Sequence, residues 1–345
     1  MESVRIKDIA ERAGVSPTTV SNVIHGNTKK VSRATIEKIQ KLLEDVSYVP
    51  SMSAKMLAEN RSRIIGVLLG SREEGRRSGQ GDAFANQMIS ALEDEIYRRN
   101  YYMMLHLSSS AEENLQLAAA WNVEGLITVG LSVSETLKIQ SRCRAPIVSV
   151  DNYYEQERAA NIGLNDWQGG FEMGRFLAEC GHKDMVFLAD NDLGVDHFRW
   201  LGFKRALEEA GLPCRKKQHQ LIAGEAGRRM KFYEKNLETL LEHDALFFAS
   251  DYYALEAMNY LQDKGIRIPH DISVAGFDDS EYAMLARPAL TTIRQDVRQK
   301  GVAAVDKLFA FIEGQKDIAM DEKLPIELVV RESVRQTASG AGRRE

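Results

Sequence analysis

VRIKDIAERAGVSPTTVSNVIHG, residues 4 to 26, decides how the chain begins. Ile6, Ile9, Ala10 and Ala13 recur at i, i+3, i+4 and i+7, which draws one apolar stripe along a short helix, and Gly14 is free to end it in a left-handed conformation. Ser16 then stands as the cap of a second helix, with Pro17 at its first position, where a missing N–H costs nothing. Val20, Val23 and Ile24 face inward in that helix, leaving Pro17, Thr18, Ser21, Asn22 and His25 outward. Two short helices joined by a tight turn containing Gly make a helix-turn-helix. Thr and Asn on its outer face suit base edges in a major groove, Asn through a bidentate pair with adenine. The same pattern also suits a plain helical hairpin whose polar face meets only water.

Working outward, Ser32 caps a third helix with Ile36, Ile39, Leu43 and Val46 inward, so three helices close a small core. Tyr48-Val49-Pro50-Ser51 stops that helix, and SMSAKMLAENRSR follows, with Met52, Met56 and Leu57 its only large apolar residues. A segment this poor in apolar side chains has no core of its own, and short isolated helices are marginal in water. Residues 1 to 62 carry ten Lys/Arg against seven Asp/Glu, about +3; from the total of −5 this leaves −8 for the rest of the chain. Only the first segment suits a polyanion.

IKDIAERAGVSPTTVSNVI, followed by Val31-Ser32, Tyr48-Val49-Pro50 and Ala54-Lys55-Met56-Leu57, resembles the DNA-binding headpiece and hinge of the LacI/GalR family of bacterial transcription regulators. The resemblance implies phosphate contacts from Ser16, Thr19, Ser21, Ser32 and Thr35, and base reading by Thr18 and Asn22 beside Pro17 and His25. It also implies a hinge, residues 50 to 62, that folds on the operator. There Leu57 wedges into the minor groove, with Lys55 beside it and Ala54 against the partner copy.

From Arg63 the texture changes to alternating strands and helices: IIGVLLG (64 to 70), a helix around 82 to 99, YYMMLHL, a helix near 111 to 121, GLITVG and PIVSV ending at Asp151. The alternation resumes with DMVFLAD, a helix near 197 to 210, ALFFAS, a helix near 253 to 264, and ISVAGFDD. This predicts doubly wound sheets with ligands beyond the carboxyl ends of the strands, and too many strands for one sheet, hence two lobes. The family resemblance continues through Gly169-Gly170, LAECGHK, RWLGF, Ser250-Asp251, GIRIPHDISVAGFDD, Leu290-Thr291-Thr292-Ile293 and Val330-Arg331-Glu332-Ser333. It implies a fold similar to periplasmic sugar-binding proteins. The expected division is a helix-turn-helix domain (1–49), the hinge (50–62), an effector-binding and dimerisation domain (63–337) and a disordered tail (338–345). Within the third part, lobe 1 is expected at 63–163 plus 292–323, and lobe 2 at 164–291 plus 324–337.

The resemblance further implies an effector held between the lobes by Arg199, whose guanidinium fork suits ligand oxygens, and by Asp278 of the Gly-Phe-Asp-Asp turn. Ser250, Asp251 and Ser71 join that set as residues at strand ends. Asn165 and Asp166 stand where the family has the reverse order, so no ligand contact is assigned to them. After the first strand the family has a short Asn-Pro-aromatic turn, but here SREEGRRSGQGDAF brings Arg72, Arg76 and Arg77, which suit either a solvated loop or a clamp for an acidic effector.

Enzyme readings fail on particulars. Gly79-Gln80-Gly81 lacks the third glycine of a dinucleotide fingerprint, since position 84 is Phe. No P-loop, nucleophile elbow or His-rich metal pattern appears, and the pairs Asp196-His197 and His243-Asp244 have no nucleophile beside them. No metal and no cofactor is expected. Three scattered cysteines, Cys143, Cys180 and Cys214, suit reduced thiols, and with neither a signal-peptide pattern nor an apolar run of membrane-span length in the sequence, the bacterial cytoplasm is the expected location. A tail without leucine heptads favours a homodimer. The functions in competition are a ligand-controlled DNA-binding regulator, a solute-binding module and an α/β enzyme.

Overall fold

A computed structural model describes residues 5–24, 26–46, 48, 56, 61–70, 83–108, 110–153 and 160–336. The chain divides into two units, residues 1–62 and 63–345.

The first unit is helical. Helix α1 (Ile6–Ala13) ends at Gly14, which takes φ 72° as a left-handed cap, and α2 (Pro17–Ile24) follows after two residues. Helix α3 (Arg33–Asp45) starts at Ser32, whose Oγ accepts the Thr35 N–H. Ile9, Ala10, Ala13, Val20, Val23 and Ile39 form a buried centre, walled by Ile6, Val15, Ile24, Ile36, Leu42, Leu43 and Tyr48. The inward set on α3 therefore includes Leu42 rather than Val46, because the helix ends at Asp45 and Val46 is its cap. Lys38 donates to the Ala13 carbonyl at 2.9 Å, which ties the C-terminus of α1 to α3.

The second unit holds two six-stranded sheets. In the first, β1 (Ile64–Leu69), β2 (Tyr102–Leu107), β3 (Gly125–Val129), β4 (Ile147–Val150), β5 (Ala160–Leu164) and β11 (Asp321–Leu324) lie in the order β2-β1-β3-β4-β5-β11, all parallel. In the second, β6 (Met185–Ala189), β7 (His219–Leu221), β8 (Ala245–Phe248), β9 (Ser273–Asp278), β10 (Thr291–Arg294) and β12 (Glu327–Val329) run β7-β6-β8-β9-β10-β12, with β12 antiparallel to β10. Both sheets reverse their order after the first strand. In such folds the crevice at that reversal, beyond the carboxyl ends, is where ligands bind.

Helices α4 (Ala83–Arg98), α5 (Ala111–Ala120), α6 (Val133–Arg142) and α12 (Val297–Ile312) belong with the first sheet. Helices α7 (Asp166–Glu179), α8 (Gly194–Glu209), α9 (Ala226–Leu241), α10 (Asp251–Asp263) and α11 (Glu281–Leu285) belong with the second. Strands buried on both faces explain the near-continuous apolar runs: Met185 through Ala189 are all buried, as are Ala245 through Phe248.

The crossings between lobes differ in detail from expectation. Thr291 to Arg294 pair in parallel with Ala275 to Asp278, so residues 292–294 lie in the second sheet and the chain returns to the first only at α12. Leu164 and Leu324, expected in the second lobe, end strands of the first sheet. Apolar patterning is alike on the two sheets, and only the pairing partner tells them apart.

Candidate functional site

In the first unit, Ser16, Pro17 and Thr18 are exposed, and Thr19, Ser21 and Asn22 are half-buried along α2. Ser16 Oγ accepts the Thr19 N–H at 3.2 Å and lies 2.9 Å from Thr19 Oγ1. Ser32 and Thr35 repeat that arrangement, with their hydroxyls 2.8 Å apart at the start of α3. Two helix N-termini thus present hydroxyls and backbone N–H groups, the equipment for phosphate oxygens. His25, Ala54, Lys55, Leu57 and Ser71 lie outside the described residues, as do the arginine-bearing loop after β1 and the tail.

In the second unit the strand ends carry an acid-rich set of side chains. Non-glycine residues with positive φ include Asp151 after β4 (57°), Asp278 ending β9 (122°) and Asp279 (54°). Left-handed backbone at non-glycine residues costs energy and collects at functional sites. At the reversal of the first sheet, Gly70 approaches Gly130 so closely that a Cβ would stand 2.1 Å from the Gly130 carbonyl oxygen, so only glycine fits there.

Arg199, on α8, is buried. Its Nε donates to Asp166 Oδ1 at 2.7 Å, its Nη1 donates to the Ala249 carbonyl at 2.7 Å, and its guanidinium carbon lies 3.6 Å from the Phe277 ring centroid. Ala249 follows β8, so the arginine reaches the point where the second sheet reverses. Burial works against its charge, but Asp166, Asp278 and Asp196 outweigh burial and raise its pKa further. Of the five N–H donors a guanidinium offers, these two bonds engage two.

Asp278 Oδ1 accepts from Gln295 Nε2 at 2.6 Å. Asp251, in contrast, is wholly buried: Oδ2 accepts from the N–H (2.7 Å) and hydroxyl (3.0 Å) of Ser280, and Oδ1 from the Thr292 hydroxyl (2.6 Å). Burial, then the charge of Asp278, raises its pKa well above the usual carboxylate range. The Asp251 carboxylate therefore ties the starts of α10 and α11 to β10. Ser250 caps α10 by accepting the Tyr253 N–H. These bonds of both residues are therefore made within the second lobe.

Several residues of this set were not assigned from sequence. Asp166, at the start of α7, is the ion-pair partner of Arg199 and also accepts a hydrogen bond from Tyr153, whose ring stacks on Phe198 at 4.4 Å. Burial first, and then Asp166, raises the Tyr153 pKa. The reversed Asn165-Asp166 order has a local use: Asn165 caps α7 through the Gln168 N–H, which leaves Asp166 for the arginine. Lys300, wholly buried on α12, donates to both oxygens of Asp151 at 2.8 Å and to Gln295 Oε1 at 2.7 Å. Burial raises the Asp151 pKa, and Lys300 opposes it. A lysine among Val297, Gly301, Ala304, Val305 and Leu308, all buried, breaks the apolar stripe of α12, and that break is visible in the sequence.

Of the acid–histidine pairs, Asp196 joins this set, with Oδ1 3.9 Å from Arg199 Nη1. His197 pairs with Asp192 at 2.8 Å, while His243 pairs with Asp184 at 2.8 Å at the opposite end of β6. Among the described residues no group of three or more His, Cys, Asp or Glu could hold a metal, and no helix is long and apolar enough to cross a membrane.

Comparison with known proteins accounts for both units. Residues 5–51 match the lacI family of bacterial regulatory proteins, and residues 175–334 match a periplasmic binding protein-like domain. The chain is 31% identical over 340 residues to the HTH-type transcriptional repressor PurR of Vibrio parahaemolyticus, covering 96% of this chain and 98% of that repressor. It is 29% identical to the HTH-type transcriptional regulator MalR of Clostridium butyricum, over 93% of this chain and 97% of that one. The lac repressor dimer bound to operator and the anti-inducer ONPF superposes with a TM-score of 0.84 at 26% identity, covering 97% of this chain and all of that one. With a helix-turn-helix unit, a two-lobed core and relatives alike over nearly their whole length, the chain belongs to the LacI family of bacterial regulatory proteins and is a DNA-binding transcription regulator, not an enzyme.

Proposed function

We propose that the protein is a repressor that binds operator DNA as a homodimer in the bacterial cytoplasm, at the nucleoid, under the control of a sugar or sugar derivative bound between its lobes. The observation that carries this reading is the face of α2, where Thr18 is exposed and Asn22 half-buried over a closed apolar core. Two such helices, one from each protomer, suit successive major grooves of a pseudo-palindrome. Ser16, Thr19, Ser21, Ser32 and Thr35 set the register on phosphates beside Pro17 and His25, while Thr18 and Asn22 read bases. Residues 50–62 act as the hinge, where Leu57 opens the centre of the site beside Ala54 and Lys55.

In the core, Arg199 and Asp278 hold the effector together with Ser71, and Ser250 and Asp251 brace the strand ends behind them. The carboxylates of Asp151 and Asp278 accept hydrogen bonds, which suits hydroxyl groups. Effector acts only to the extent that it prefers one lobe arrangement, and that arrangement sets the spacing of the two hinges.

The test is selection of duplexes from a random pool by the full-length protein, followed by a salt titration on the recovered sequence. A palindromic consensus whose affinity falls steeply with salt is expected, since several phosphates are neutralised together. Recovery of no sequence preference, with and without D-ribose or cellobiose, would refute the reading.

A further inference from the structure

We propose that Lys300 is a positioning residue of the effector cleft, the pin of a polar clasp that runs from Asp151 in the first lobe through Gln295 to Asp278 in the second. This deepens the reading of the cleft as an effector site and rests on it. A lysine with no exposed surface carries a large desolvation cost, and a methionine or leucine would fill the same volume on α12 without it. Buried ion pairs are poor stabilisers compared with apolar packing, so the charge is better explained by the geometry it imposes.

That geometry is specific. An ammonium has three N–H donors, and here they meet three acceptors: Asp151 Oδ1, Asp151 Oδ2 and Gln295 Oε1. Because Gln295 turns its oxygen to Lys300, its Nε2 is directed to Asp278 Oδ1 at 2.6 Å. A flipped amide would set oxygen against carboxylate and nitrogen against ammonium. The Gln295 backbone N–H also donates to the Asp278 carbonyl at 3.3 Å, so the crossover strand is held to β9 twice. Lys300 thereby fixes two carboxylates that belong to different sheets, both on left-handed backbone, although it touches only one of them. With its three donors engaged, Lys300 offers none to a ligand.

The test is hydrogen exchange on the full-length protein without DNA or ligand. Its failure is thus distinct from failure to find an operator. Lys300→Met is expected to speed exchange at 294–298 and at the end of β9 by about tenfold, with the fold retained by urea denaturation. Asp278→Ala, which removes the acceptor of Gln295 Nε2, should do the same, and the double variant should be no faster than either single one, because both break one chain of bonds. Additive effects, or exchange at 294–298 within about twofold of wild type in Lys300→Met, overturn the proposal. Should Lys300→Met fail to fold, Gln295→Glu decides. It keeps the lysine paired but repels Asp278, and exchange at the end of β9 must rise by about tenfold or the clasp is refuted.

Discussion

Gly202 on α8 lies so close to Trp167 on α7 that a Cβ added at Gly202 would stand 1.8 Å from the Trp167 carbonyl oxygen. The contact is reciprocal in kind, since a Cβ at Gly170 would meet the Arg199 carbonyl oxygen at 1.9 Å. Two helices crossing backbone to backbone leave Asp166, beside Trp167, within 2.7 Å of Arg199. The glycines thus set the ion pair at the heart of the candidate effector cleft.

Gly202→Ala should therefore destabilise the core by at least the ~1–3 kcal/mol of an overpacked site, read as a lower urea midpoint. Gly227→Ala is the control. Gly227 is exposed in the first turn of α9, and its added Cβ would meet only the end of the Glu225 side chain, at 3.2 Å. A gain of about 0.5–1 kcal/mol is expected there from helix propensity.

Removing the guanidinium strands a carboxylate. Arg199→Ala leaves Asp166, whose side chain is wholly buried, with Tyr153 as its remaining side-chain donor among the described residues. A loss of about 3–5 kcal/mol in unfolding free energy is expected. Arg199→Ala combined with Asp166→Asn should recover part of it, because no buried charge is then left alone; a double variant no more stable than the single one would contradict this account.

Asn22→Ala should relax base preference at one position in each half-site by about 1–3 kcal/mol while leaving the salt slope unchanged. Ser16→Ala should leave that preference intact and weaken binding on all sequences alike. Parallel selections from a random duplex pool measure both, and an unaltered consensus with Asn22→Ala removes Asn22 from the reading set.

Asp184 accepts hydrogen bonds from His243, Gln218 and Lys217. Burial raises its pKa, but those bonds outweigh it and hold the carboxyl below its usual range. A carboxyl depressed in the folded state contributes stability that is fully present above its unfolded pKa of about 3.9 and is lost as pH falls through the folded value. Below about pH 4 the urea midpoint of the wild type should therefore drop more steeply than that of Asp184→Asn. Identical slopes would show that Asp184 plays no part in acid unfolding.

Much of this protein is legible without coordinates. The 3.6-residue stripe of α1, the Ser16-Pro17 start of α2 and the apolar runs of β1, β6 and β8 are local signals, and local sterics and hydrophobic burial suffice to interpret them. Arg199 and Asp278 stand out in the sequence only through the family resemblance. What tertiary structure alone decided is which charges meet. Asp166 pairs with Arg199 across 33 positions, and Lys300 reaches Asp151 across 149. Asp251, with the same side chain as Asp278, is spent on Ser280 and Thr292 inside the second lobe. The reason is physical: backbone preference and amphipathic period act within a few residues, while the partner of a buried charge depends on which strand ends the crossing chain brings together.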